Sequence, residues 1–190
     1  MLDHNKYVEA PNPVPYQMIK DKGLTTMFMA GGISGTEDWQ KYAAERILKT
    51  GHELFLINPR RDSGLEKTGP EAKVQIKWEY DQLGETDTIL FWFPHQTVCP
   101  IALFELGSFL KKEQVKNYLM KLTCGEEYCS KRQVIYIGCD ENYSRKFDLE
   151  TQVALYDPSI EIQYTLDGLC DQITKSQSEY LKAKYNPEGK

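Results

Sequence analysis

Two acidic side chains stand where a carboxylate could do chemistry. Glu105 interrupts the apolar run "CPIALFELG" (residues 99–107), and Glu79 follows Trp78 in "KWEYD" (77–81). Burying an ionised carboxylate costs several kcal/mol unless it is paired or put to use. A partly dry carboxylate near a cleft mouth suits a nucleophile or a general acid/base. The plain alternative is a helix glutamate capped by a backbone N–H. Asp81 lies two positions beyond Glu79, on a different face of a helix. A solvated helix carboxylate is the alternative for both, and Glu79 gains meaning only if it reaches towards Glu105.

Other polar groups fall in short loops. "AGGISGTEDW" (30–39) closes an apolar run and opens a helical pattern. Its Gly31 and Gly32 let backbone approach a ligand, Ser34 adds a hydroxyl, and the helix N-terminus favours an anion or polar oxygen. A turn that needs glycine for geometry alone reads equally well. The stretch fits neither the dinucleotide nor the P-loop fingerprint. "NPRRDSG" (58–64) carries Asn58, Arg60 and Arg61. Arginine can grip phosphate or carboxylate through two parallel hydrogen bonds, or stand solvated. In "FWFPHQTVCP" (91–100), Phe93 and His95 lie at a strand's end. His95 is a base-contacting or rim residue, and Ser34 lacks the context of a nucleophile elbow.

Alternating elements must hold these groups. "LTTMFMAGG" (24–32), "HELFLINP" (52–59), "DTILFWFP" (87–94), "QVIYIGC" (133–139) and "SIEIQYTL" (159–166) read as strands. The unbroken apolar run of the third fits burial on both faces. Helices are expected over 33–51, with Thr36 as N-cap, and over 71–86, where Val74, Ile76, Trp78 and Leu83 are apolar. Further helices are expected over 101–114, 147–157 and 167–185. Residues 115–132 read as a helical extension or insertion, 1–22 as an extended N-terminal arm and 186–190 as a frayed tail. Residues 23–185 then form one domain. Strands alternating with helices predict an α/β fold: a doubly wound five-stranded parallel sheet, flavodoxin-like or Rossmann-like, with helices on both faces. Ligands bind such sheets beyond the strands' C-terminal ends. That rule selects the loops 31–35, 58–64, 93–100 and 138–145.

The chain has 190 residues, 41% hydrophobic and 12% aromatic, enough for one packed core. Its formal net charge of −5 argues against a nucleic-acid polymer as partner, since phosphate neutralisation needs a basic surface. A single nucleotide in a cleft stays compatible. No apolar run is long enough to cross a membrane and no signal-peptide core opens the chain, so a cytoplasmic location is expected. Five cysteines (Cys99, Cys124, Cys129, Cys139 and Cys170) suggest reduced thiols. Cys124 and Cys129 lack a second ligand pair, so zinc is not expected.

Taken in order, "MFMAGGISG", "NPRRDSG", "WEYDQLGETDTILFWFP" and "CPIALFELG" resemble the nucleoside 2-deoxyribosyltransferase family, in particular its 2-deoxyribosyltransferase-like branch. A weaker likeness continues through "VIYIGCDENYSRKFDLETQVALYD". The resemblance implies that Glu105 is the nucleophile. It implies that Glu79, eight positions before Asp87, stands where the family usually carries an assisting Asp, with Asp81 as the fallback. Gly31, Gly32 and Ser34 would line the sugar and base pocket. The family is commonly homo-oligomeric with shared sites, and Asp140 and Asn142 are the candidates for a lent side chain. The implied activity is transfer of a 2-deoxyribosyl group from a deoxynucleoside to another nucleobase through a covalent glycosyl-Glu intermediate. Hydrolysis of a deoxynucleoside or its 5′-monophosphate is the alternative, and a non-catalytic nucleotide sensor a further one. In this chemistry a second acid stabilises or protonates the leaving base, and no metal or redox cofactor is called for.

Overall fold

The computed structural model describes residues 3, 5–61, 68–123 and 133–185. Its strands are β1 (Tyr7–Glu9), β2 (Thr25–Gly31), β3 (Leu54–Asn58), β4 (Thr88–Phe93), β5 (Val134–Cys139) and β6 (Ile162–Gln163). Its helices are α1 (Tyr16–Asp21), α2 (Trp39–Leu48), α3 (Pro70–Glu85), α4 (Pro100–Thr123), α5 (Lys146–Tyr156) and α6 (Leu166–Tyr185). One parallel sheet runs in the order β1-β3-β2-β4-β5-β6. Apart from β1, this is the flavodoxin-like order of a doubly wound sheet.

The sheet thus has six strands where the sequence pattern predicts five. The added strand comes from the segment expected to be an extended arm, which also folds into α1. Three residues are too few to show a period of two, and the strand exists only through its pairing of Tyr7 with Leu56 and Glu9 with Asn58. At the other edge, the strand expected over 159–166 narrows to two residues paired with Ile137 and Gly138. Helix α4 continues without a break to Thr123, so 115–123 is its extension. Residues 124–132, with Cys124 and Cys129, lie outside the described residues, as do 186–190.

Alternation along the central strands builds two cores. Phe28, Ala30, Ile89, Phe91 and Phe93 face α1, α3, α4 and α5. Met27, Met29, Leu90 and Trp92 face α2 and α6. Every residue of β3 and β4 is buried, as an unbroken apolar run in a central parallel strand requires. Asp87 ties the start of β4 to β2, accepting from the Thr26 amide and hydroxyl, both at 2.8 Å. From β2 the chain leaves through α2 to β3, then returns through α3 on the opposite face to β4. The chain leaves β2 through α2 on one face and β4 through α4 on the other, so the switch point lies between these departures, at the C-terminal ends of β2 and β4. Among the described residues no helix is long and apolar enough to cross a membrane.

Candidate active site

Helix α4 starts at Pro100, placed where a missing N–H costs nothing. Cys99 ahead of it takes a left-handed φ of 51°, which turns the chain sharply from the loop after β4 into the helix. Ala102, Leu106 and Leu110, at helical spacing, pack onto the sheet. Glu105 sits beside that stripe, partly buried, at the helix edge nearest α3. Ile101 and Phe104 flank it on the outward face, 65% and 74% exposed.

Helix α3 carries its partner. Gln75 and Glu79 lie four residues apart on the inward face, with Ala72 and Leu83. Of the apolar residues expected to anchor this helix, Leu83 does join the core and Trp78 packs against it, but Val74 and Ile76 are exposed, and so is Tyr80. Trp78 is half-buried, donating its indole N–H to the Asn12 carbonyl. Helix α3 therefore places the polar Gln75 and Glu79 inward between the apolar Ala72 and Leu83, and leaves Val74 and Ile76 outside. Asp81 points away and pairs with Lys77 at 2.7 Å.

Burial pushes the Glu105 carboxyl up to about 7, and the negative charge of Glu79 adds to the rise. Among the described residues nothing donates a hydrogen bond to it. Burial also raises Glu79, but there the Gln75 amide and the Arg61 charge pull the other way. The two carboxyls are thus unequal. Glu79 is held by the Gln75 donor and the Arg61 charge, whereas Glu105 is partly desolvated and repelled, which separates their protonation behaviour.

The loops supply the frame. A Cβ on Gly31 would lie 2.2 Å from the Trp92 carbonyl oxygen, and one on Gly32 within 2.9 Å of Thr97, Cys99 and Pro94 side chains. Both glycines let the β2 turn press against β4 and the loop leading to α4. The Gly32 carbonyl accepts from the Trp39 indole at 2.7 Å. Ser34 is exposed beyond this contact. Arg60 donates to Gln40 Oε1 at 3.1 Å and to Thr36 Oγ1 and the Glu37 carbonyl, both at 2.9 Å. Asp38 stands 3.4 Å from it. Arg60 therefore rivets the loop after β2 to the loop after β3. This is why Thr36 does not cap α2: the helix starts at Trp39, and Asp38 accepts from the Lys41 amide instead. Asn58 is fully buried, donating to Tyr7 Oη at 2.7 Å and accepting from the Arg60 amide at 2.9 Å.

Phe93 is also fully buried, stacked on Phe91 and tilted against Tyr143, so its ring belongs to the core. His95 meets Asp140 at 3.0 Å, a partner 45 residues away that no local pattern signals. Burial works to raise Asp140, but the Asn142 amide and His95 outweigh it and hold the carboxyl below its ordinary value. Asn142 itself is exposed. The structure therefore brings Glu105, Glu79 and Arg61 to one crevice, pairs His95 with Asp140 on the β5 side, and sets Asp81 outside. Gln75 was missed by sequence reasoning, although its spacing of four from Glu79 was there to be read. Among the described residues no group of three metal-ligating side chains occurs.

A doubly wound parallel sheet carries two unequal carboxyls on neighbouring helices of one face, α3 and α4. The family model described as nucleoside 2-deoxyribosyltransferase like matches residues 25–122, from β2 through α4, and spans Gly31, Gly32, Arg61, Glu79 and Glu105. The chain belongs to that family. No curated protein matches it.

Proposed function

We propose that the protein is a nucleoside 2-deoxyribosyltransferase with Glu105 as nucleophile and Glu79 as its electrostatic partner. The observation that carries this reading is Glu105 itself: a carboxyl held dry at the crevice, raised to about 7, beside a second carboxyl that is hydrogen-bonded. The Glu105 oxygen attacks C1′ of the deoxynucleoside. The C1′–N bond breaks, its electron pair leaves with the base, and the base nitrogen takes a proton from solvent. A second base then attacks C1′ from the vacated side and gives up its N–H proton to solvent, the C1′–O bond to Glu105 breaks with its electron pair returning to the carboxylate, and the configuration is retained. When Glu105 is ionised for attack, its charge and that of Glu79 repel. Positive charge developing at C1′ relieves that repulsion, so the stabilisation is greatest in the transition state.

Water in place of the second base gives an N-hydrolase. A 5′-monophosphate substrate would draw on Arg61, because the Arg60 guanidinium is already engaged by Thr36, Glu37 and Gln40. Exposed Ile101 and Phe104 beside Glu105, with Val74, Ile76 and Tyr80 on α3, support a homo-oligomer whose neighbouring subunit covers the crevice. Buried free Cys99, Cys139 and Cys170 fit a reducing, cytoplasmic setting, and base exchange would give the protein a place in nucleoside salvage. Chromatography of deoxynucleosides and their monophosphates, with and without an acceptor base, tests the reading. Base exchange is expected, with a fluorinated deoxynucleoside leaving an adduct on Glu105. Release without exchange identifies the hydrolase. Tight binding with no base release over hours identifies a sensor and overturns the proposal, as does full activity in Glu105→Ala.

A further inference from the structure

Gln75 is 3% exposed, yet it is a polar residue on the core-facing side of α3. Its amide is fully used. Oε1 accepts from Arg61 Nε at 2.5 Å, and Nε2 donates to the Pro59 carbonyl at 2.9 Å and to Glu79 Oε1 at 2.5 Å. The orientation of the amide is dictated by its partners. A carbonyl and a carboxylate can only accept, and a guanidinium can only donate. We propose that Gln75 is a positioning residue whose side-chain amide couples Arg61 to Glu79 and so fixes on which of the two site carboxyls the negative charge rests. The inference rests on the reading of Glu79 and Glu105 as the working pair.

A chain of hydrogen bonds running from a guanidinium through an amide to a carboxylate is polarised along its length, and each link favours charge at the carboxylate end. Among the described residues the charged groups facing Glu79 are Arg61, from the turn after β3, and Glu105, from α4. On α3 itself Lys77 and Asp81 pair with each other on the outer side. Among the described residues no link of this kind reaches Glu105. The amide therefore holds charge at Glu79, and Glu79 in turn makes Glu105 the more basic of the two. Gln75 also fixes the direction of the Glu79 carboxylate, because its own amide is locked to the Pro59 backbone. Leucine at position 75 would pack the same helix face equally well, and only a polar link explains a glutamine there.

The test is a pH titration of glutamate-labelled protein by carboxyl 13C NMR, with the Glu79 and Glu105 signals assigned through Glu79→Gln and Glu105→Gln. In Gln75→Met, which keeps the volume and loses the link, the Glu79 midpoint should rise and the Glu105 midpoint should fall, each by about one pH unit. The acid limb of kcat/KM should follow Glu105 downward by the same amount. Arg61→Met should give shifts of the same signs and smaller size, and it decides the question if Gln75→Met fails to fold. A merely structural glutamine would leave both midpoints in place or move them together, and either result overturns the proposal. The midpoints need no substrate. An inactive protein with opposed shifts would overturn the proposed function and leave the coupling intact, whereas unmoved midpoints in an active enzyme would overturn the coupling alone.

Discussion

Replacing Glu105 by Gln should stabilise the fold while removing the chemistry, and the gain should depend on pH. The folded carboxyl sits at about 7 against an ordinary 4.5, chiefly because it is buried and secondarily because Glu79 is charged. The unfolded chain therefore gives up its proton first as pH rises. Between about 4.5 and 7 the folded state binds more protons than the unfolded one, so stability falls with rising pH across that window. Above 7 the loss is complete and constant. At about 1.36 kcal/mol per pH unit the upper bound is about 3 kcal/mol. The side chain is partly rather than fully sealed, and solvent screening trims this to about 1–2 kcal/mol. Glutamine keeps the shape and has no charge to bury. For a chain of this size, Glu105→Gln should melt about 2–8 °C higher than the parent at pH 8. The advantage should shrink to a small remainder by pH 5. Thermal melts of both proteins from pH 5 to pH 8 give the answer. A difference in Tm that does not change with pH, or a variant less stable than the parent at pH 8, would refute the assignment of Glu105 as a dry, destabilising carboxyl.

Glu79→Gln removes the second of the two influences on Glu105, so the acid limb of the pH–rate profile should move below 7 without reaching the ordinary carboxylate range. A limb that stays put would show that the two carboxyls do not interact. Gly31→Ala forces a Cβ to within 2.2 Å of the Trp92 carbonyl oxygen, a backbone atom that cannot step aside, at a backbone φ of 151°. A loss of about 3 kcal/mol or more in denaturant titrations is expected. By contrast Gly84, near the end of α3, has nothing within 4 Å of its absent Cβ, and Gly84→Ala should gain about 0.5–1 kcal/mol from helix propensity in the same assay. Arg60→Ala should cost about 1–3 kcal/mol, because the loops after β2 and β3 lose their shared donor and Gln40 Oε1 is left buried without it.

The apolar runs of β2, β3 and β4 carry the fold openly, since strands covered on both faces must be apolar throughout. The edges are obscure because β1 and β6 owe their existence to one neighbour each. Helix α3 shows the limit most clearly. Val74 and Ile76 look like anchors by type, yet Gln75 and Glu79 share the inward face with Ala72 and Leu83, and Val74 and Ile76 stand outside. Two polar side chains on an otherwise core-facing stripe break the local pattern, as residues serving a site do. Glu105 is legible from its setting in "CPIALFELG". Its dependence on Glu79, and the link from Glu79 back to Arg61, depend on how α3 and α4 lie side by side. The same is true of His95 and Asp140, which meet only because β4 and β5 are neighbours.

The sheet ends on both sides in very short strands, three residues in β1 and two in β6. A margin that short offers few free backbone groups to an incoming strand, so edge-to-edge recruitment of another chain is blunted. Without Tyr7–Glu9, the outer side of Leu56–Asn58 would lose its partner strand and the whole of Leu54–Asn58, apolar but for Asn58, would stand as an open edge. The first strand is thus a guard against aggregation, and shortening the chain past Glu9 should show first as loss of solubility.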